Sequence, residues 1–116
     1  MSRKTPQLLA QVQFSILLAL SLKERHGYEL MQQVEEDSEG VLKIGPGALY
    51  GAIRQLCKAG FIEEVKDEQP QRRRYYHLTQ SGRQRLQAEL RYFENSLKLG
   101  KKRQALGDHI GYGLNV

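Results

Sequence analysis

The chain has 116 residues with 40% hydrophobic and 27% charged side chains, enough for one ordinary domain with a core but not for two. A single cysteine, Cys57, excludes an internal disulfide framework. The longest apolar stretch, Phe14 to Leu22, is broken by Ser15 and Ser21 and is too short to span a bilayer, and no secretory signal pattern precedes it, so a cytoplasmic protein is expected.

In chain order, the first periodic segment runs from about Gln7 to Leu22, where Leu9, Val12, Ile16 and Leu20 recur at helical spacing. Pro6 suits a first turn and Thr5 a cap. Lys23 to Gly27 reads as a turn. A second helix is expected from Gly27 to Asp37, with Leu30, Met31 and Val34 inward and Gly40 closing the acidic run of Glu35, Glu36, Asp37 and Glu39. Pro46 opens a third helix that runs to about Ala59, buries Leu49, Ile53 and Leu56, and stops at Gly60. Its first turn, with Gly47, Ala48 and Gly51, is small enough to approach another surface closely, and Tyr50 and Arg54 project from it.

Phe61 to Val65 and Arg74 to Leu78 have strand composition, and the polar segment Lys66 to Arg73 between them contains Pro70 and cannot continue a strand. The pair predicts a hairpin with an arginine-bearing tip. Tyr75 and Tyr76 must point to opposite faces, and Tyr76 is taken as the inward one. Thr79 caps a last helix that ends near Gly100, in which Leu86, Leu90, Phe93 and Leu97, spaced four, three and four, form a seam for another helix. The tail 101–116 shows little periodicity and is expected to be loose or partly disordered.

The fold class that follows is mainly α with a small β-hairpin: a winged helix-turn-helix plus a long C-terminal dimerisation helix. Residues 1–78 form the winged-helix domain, 79–100 the dimerisation helix and 101–116 the tail. Charge supports a polyanionic partner. Residues 71–103 hold ten Lys/Arg against Glu89 and Glu94, a net charge of +8, while the remainder carries −3. A basic face can also be merely solvated, so charge alone does not decide.

Three pieces of the sequence, in order and spacing, resemble the PadR-like transcriptional regulators: His26-Gly27-Tyr28-Glu29-Leu30, then Gly47-Ala48-Leu49-Tyr50 with Leu56, Gly60 and Ile62, then Arg72-Arg73-Arg74-Tyr75-Tyr76-His77-Leu78-Thr79 with Gly82. The resemblance covers roughly residues 8 to 98. It implies a sequence-specific regulator, a repressor that binds an inverted-repeat operator in double-stranded DNA as a homodimer through the C-terminal helix. It further implies that the N-terminal helix, with Leu9 and Val12, contributes to the interface alongside Leu86, Leu90, Phe93 and Leu97, and that a small-molecule effector can release the DNA. Departures are Gly51, where members commonly have proline, and Gln71 after Pro70, where they commonly have glycine; the chain has no tryptophan for an aromatic drug site.

The candidate DNA contacts are Pro46, Gly47, Ala48, Tyr50, Gly51 and Arg54 from the third helix, for a major groove about 12 Å wide, and Arg72, Arg73 and Arg74 from the hairpin, for the minor groove. Tyr50 can be read as a contact or as a core aromatic, and Tyr28 reads as packing. His26, His77, His109 and Cys57 match no metal-ligand spacing, Cys57 is expected to be half-buried and inert, and no nucleophile, base and orienting residue can be assembled. Neither a cofactor, a metal nor an enzyme activity is expected. The rival reading is a winged-helix adaptor whose basic face meets an acidic protein without operator preference.

Overall fold

A computed structural model describes residues 8–65 and 73–109. Its elements follow the order α1 (Gln11–Leu20), β1 (Arg25–His26), α2 (Gly27–Asp37), α3 (Pro46–Lys58), β2 (Ile62–Glu64), β3 (Tyr75–Leu78) and α4 (Gln80–His109). The fold is mainly helical with one small antiparallel sheet, as the sequence predicts, and α4 is the long C-terminal helix. Two units can be distinguished, Met1–Leu86 and Gln87–Val116.

The first unit holds a core in which Ile16 and Leu17 of α1, Leu30 and Val34 of α2, Leu49 and Leu56 of α3, and Ile62 of β2 are essentially sealed from solvent. Tyr76 and Leu78 of β3 and Leu86 of α4 complete it. At about 25 cal/mol for each Å² of apolar surface removed from water, these aliphatic side chains are what hold the helices on the sheet. Tyr76 is the inward tyrosine, 4% exposed, and Tyr75 is half-buried on the other face.

α2 and α3 keep the predicted boundaries because their ends are chemically marked. α2 starts in a capping box: the Glu29 N–H donates to His26 Nδ1 and the His26 N–H donates to the Glu29 carboxylate. The left-handed residues Glu39 and Gly40, φ 54° and 85°, turn the chain away after it. α3 begins with Pro46 in its first turn and ends at left-handed Gly60, φ 83°. There the Phe61 N–H donates to the Leu56 carbonyl and the Gly60 N–H to the Cys57 carbonyl, the paired bonds of a Schellman stop.

Three boundaries differ from the sequence reading. α1 begins at Gln11, after the extended Ala10, rather than at Gln7. The proposed cap Thr5 and first-turn Pro6 lie outside the described residues. Leu9, counted in the helical stripe, instead precedes the helix and packs against the core from there. The predicted turn after α1 contains β1, whose Arg25 and His26 pair with Tyr76 and Tyr75 and make the hairpin a three-stranded sheet in the order β1-β3-β2. α4 passes through Gly100 and continues to His109, so part of the expected tail is helical. Gly60 stops a helix because it adopts the left-handed conformation; a glycine that keeps helical angles costs about 1 kcal/mol relative to alanine and stops nothing.

The start of α4 explains Gly82. Thr79 caps the helix as expected, its Oγ1 accepting from the Gly82 N–H at 3.0 Å while its hydroxyl donates to the Gly60 carbonyl. A Cβ on Gly82 would collide with the backbone carbonyl of Phe61, which also accepts from the Thr79 N–H. Backbone cannot step aside as a side-chain tip can, so this position requires glycine.

Candidate nucleic-acid interface

α3 divides into two faces. Leu49, Ala52, Ile53 and Leu56 are buried, while Pro46, Gly47, Ala48, Tyr50 and Arg54 are exposed and Gly51 is half-exposed. The exposed side therefore combines a small-residue first turn with a cation one turn further on. Lys58 is exposed as well and follows Arg54 at i+4, so it belongs to the same stripe. Helical periodicity alone would have identified it.

Tyr50 is 41% exposed and lies against the start of α2, where a Cβ on Gly27 would overlap its hydroxyl. It is thus a surface side chain braced by α2 rather than a core aromatic. Tyr28 is 62% exposed, which overturns its reading as packing: as the second residue of α2 it points outward, and Leu30 and Val34 fill the core instead.

Arg73 and Arg74 precede β3 and are exposed. Arg72, with the rest of the tip at 66–72, lies outside the described residues. Arg74 pairs with Glu64 of β2 at 3.8 Å, both side chains being more than half exposed. Such a pair contributes little stability and is readily exchanged for another anion. Arg73 Nη1 lies 3.2 Å from His26 Nε2. These contacts bring together residues distant in sequence: His26, Gly27, Tyr28, Tyr50, Arg73 and Arg74 line one cleft of about 440 Å³. The third helix and the base of the wing thus meet at a common concavity, together with the start of α2, which the sequence reading did not include.

The predicted interface leucines divide. Leu86 is 4% exposed within the core of the first unit, so its side chain is already committed there. Leu9 and Val12 are half-buried and pack against the same core. In the second unit, Leu90, Phe93 and Leu97 are 41%, 42% and 57% exposed and form a continuous apolar stripe along α4.

Cys57 is exposed rather than half-buried. Partial desolvation and the nearby carboxylates of Glu64 and Glu63 push its thiol above the ordinary range, which favours the unreactive protonated form. Burial, followed by the Glu64 charge, likewise raises the Tyr76 phenol. His77 contacts Glu63 across the sheet at 3.1 Å. Among the described residues, no three His, Cys, Asp or Glu side chains gather into a metal site, and no helix is long and apolar enough to cross a membrane.

Residues 16–88 match the transcriptional regulator PadR-like family. The chain belongs to that family. The match runs from α1 into the first turns of α4 and includes every described residue of the cleft. Among solved structures, this PadR-like chain is similar to a transcriptional regulator from Clostridium thermocellum, with 27% identity and a TM-score of 0.67 over 78% of this chain and 90% of that one. A PadR family transcription regulator from Clostridium difficile shares the fold at 24% identity and a TM-score of 0.69, over 80% and 97% of the two chains. Bacillus subtilis PadR, solved in complex with operator DNA, is 25% identical with a TM-score of 0.61 over 70% of this chain; the match spans 47% of that longer protein. Among curated proteins, none matches.

Proposed function

We propose that this PadR-like regulator is a dimeric repressor that grips an inverted-repeat operator. The exposed first turns of α3 enter the major groove, while the arginines at the wing reach the neighbouring minor groove and backbone. The observation that carries this reading is the shared cleft, in which Tyr50 of α3 and Arg73 and Arg74 of the wing line one concavity. Small residues at the start of α3 let its backbone approach the base edges, and the cationic side chains beside them exchange their counterions for phosphates. The complex of Bacillus subtilis PadR with operator DNA supports the same use of the fold here.

The dimer is assigned to α4. Leu90, Phe93 and Leu97 sit at seam spacing and are exposed, so a second copy of the stripe would remove them from water. Two-fold symmetry in the protein then calls for two-fold symmetry in the DNA, with half-sites about one helical turn or a multiple apart.

Selection of bound duplexes from a random pool tests the proposal. Recovery of palindromes with fixed half-site spacing is the expected result. Recovery of no sequence preference, with one acidic protein co-purifying instead, would replace it with the adaptor reading.

A further inference from the structure

His26 lines the cleft at only 7% exposure, and its helix cap fixes which ring nitrogen carries the hydrogen. The Glu29 N–H donates to Nδ1, and a ring that accepts at Nδ1 holds its hydrogen on Nε2. Nε2 is therefore a donor. The group that faces it from 3.2 Å is Nη1 of Arg73, and a guanidinium can only donate. Two N–H groups turned toward one another form no bond. Among the described residues, no acceptor for Nε2 lies within hydrogen-bond reach: the Glu29 carboxylate stands 3.7 Å away and accepts from the His26 backbone N–H instead. A donor buried this deeply is costly to leave without an acceptor.

The neighbouring groups are donors too. Gly27 and Tyr28, which also line the cleft, open α2, and the first amides of a helix have no acceptor within it and carry the positive end of its dipole. The Tyr50 hydroxyl lies against this turn, where a Cβ on Gly27 would overlap it. The Glu29 carboxylate is not among the lining residues. What the cleft lacks is an anionic acceptor. Two donors 3.2 Å apart can each make a bond of ordinary length to one oxygen placed about 2.8 Å from both.

Building on the operator-binding reading, we propose that His26 and Arg73 form a phosphate subsite, in which a backbone phosphate of each operator half-site accepts from His26 Nε2 and Arg73 Nη1 at once. Arg73 supplies the charge. His26 supplies a neutral hydrogen bond, which adds affinity and direction without releasing a counterion.

Single methylphosphonate substitutions along the selected operator, each removing one phosphate charge and one acceptor oxygen, test the subsite in a cycle with His26→Asn. Asparagine caps a helix well but has no nitrogen in the place of Nε2. The variant is expected to melt within a few degrees of wild type and to bind the operator about tenfold more weakly, with the salt slope unchanged. At one phosphate per half-site, the losses from His26→Asn and from the methylphosphonate should combine to less than their product. Arg73→Ala should couple to that same phosphate and also lower the salt slope by about one. Should the asparagine variant not fold, His26→Ser supplies the same cap and is read in the same way.

Wild-type affinity in His26→Asn, losses that multiply at every phosphate, or coupling of His26 and Arg73 to different phosphates would overturn the subsite. Inorganic phosphate at constant ionic strength should not displace the operator, and displacement would assign the cleft to a free anion instead. If the subsite failed while Arg54→Ala still weakened binding, the operator reading would stand without His26. Failure of that reading itself looks different, because wild-type protein would then prefer no sequence over random DNA.

Discussion

The exposed faces of α3 and α4 are built from opposite materials. Along α3 run Gly47, Tyr50, Gly51, Arg54 and Lys58, a face without a large aliphatic side chain. Along α4 run Leu90, Phe93 and Leu97, each more than two-fifths exposed. An apolar stripe gains by leaving water and hardly responds to salt, whereas a cationic face gains by releasing counterions and loses that gain steeply as salt rises. The two helices therefore suit two kinds of partner, a second protein surface and a polyanion. Raising salt from about 50 to about 300 mM should strip the operator from the protein while sedimentation still reports a dimer. Simultaneous loss of both would erase the distinction.

The largest effect is expected from the apolar face. Leu90→Asp combined with Phe93→Asp should give a monomer by sedimentation, and because the second half-site is then no longer tethered, operator affinity should fall about a hundredfold or more. A persistent dimer would move the interface off this stripe. Next comes the junction that carries both the wing and α4: Gly82→Ala drives a Cβ into the Phe61 carbonyl and should lower stability by about 2 kcal/mol, read from urea unfolding. An unchanged midpoint would mean that the close approach is not kept in solution. On the cationic face, Arg54→Ala should weaken operator binding about tenfold and lower the slope of log affinity against log salt by about one if it contacts a phosphate. An unchanged slope combined with relaxed sequence preference would instead make Arg54 a base contact.

The smallest effect concerns Cys57, at the C-terminal end of α3. Partial desolvation of the exposed thiol by its neighbours and the charges of Glu64 and Glu63 raise its pKa, so it stays protonated to higher pH than a free cysteine. Alkylation at pH 7.5 should accordingly run slower than that of free cysteine, and its rate should reach half-maximum at a higher pH. Faster alkylation would reveal a thiolate stabilised by something other than these carboxylates.

Local marks made much of this fold legible in advance. The Pro46 start and Gly60 stop of α3, the run from Gly27 to Asp37 and the inward Tyr76 all follow from chemistry within a few residues of each position. What escaped depends on distant partners. β1 is two residues long and exists only because Arg25 and His26 find β3, so no alternation could announce it. Apolar periodicity correctly marked Leu9 as part of the packing, but a residue can pack from an extended segment as well as from a helix. Gly100 carried the same signal as Gly60 without its left-handed geometry, and α4 continued through it. Leu86 matched the seam spacing while belonging to the core. The α3 and wing candidates were readable from small and basic residue types, but the cleft that joins Tyr50 to Arg73 through His26 and Gly27 is a product of the tertiary fold.

The account rests on α3 and the wing seating together on one duplex, and groove-specific interference footprinting on the selected operator tests this most directly. The account predicts two blocks of guanine N7 interference in the major groove, related by a two-fold axis and about one helical turn or a multiple apart, each flanked by adenine N3 interference in the adjoining minor groove. Interference confined to one groove, or scattered without two-fold symmetry, would contradict it.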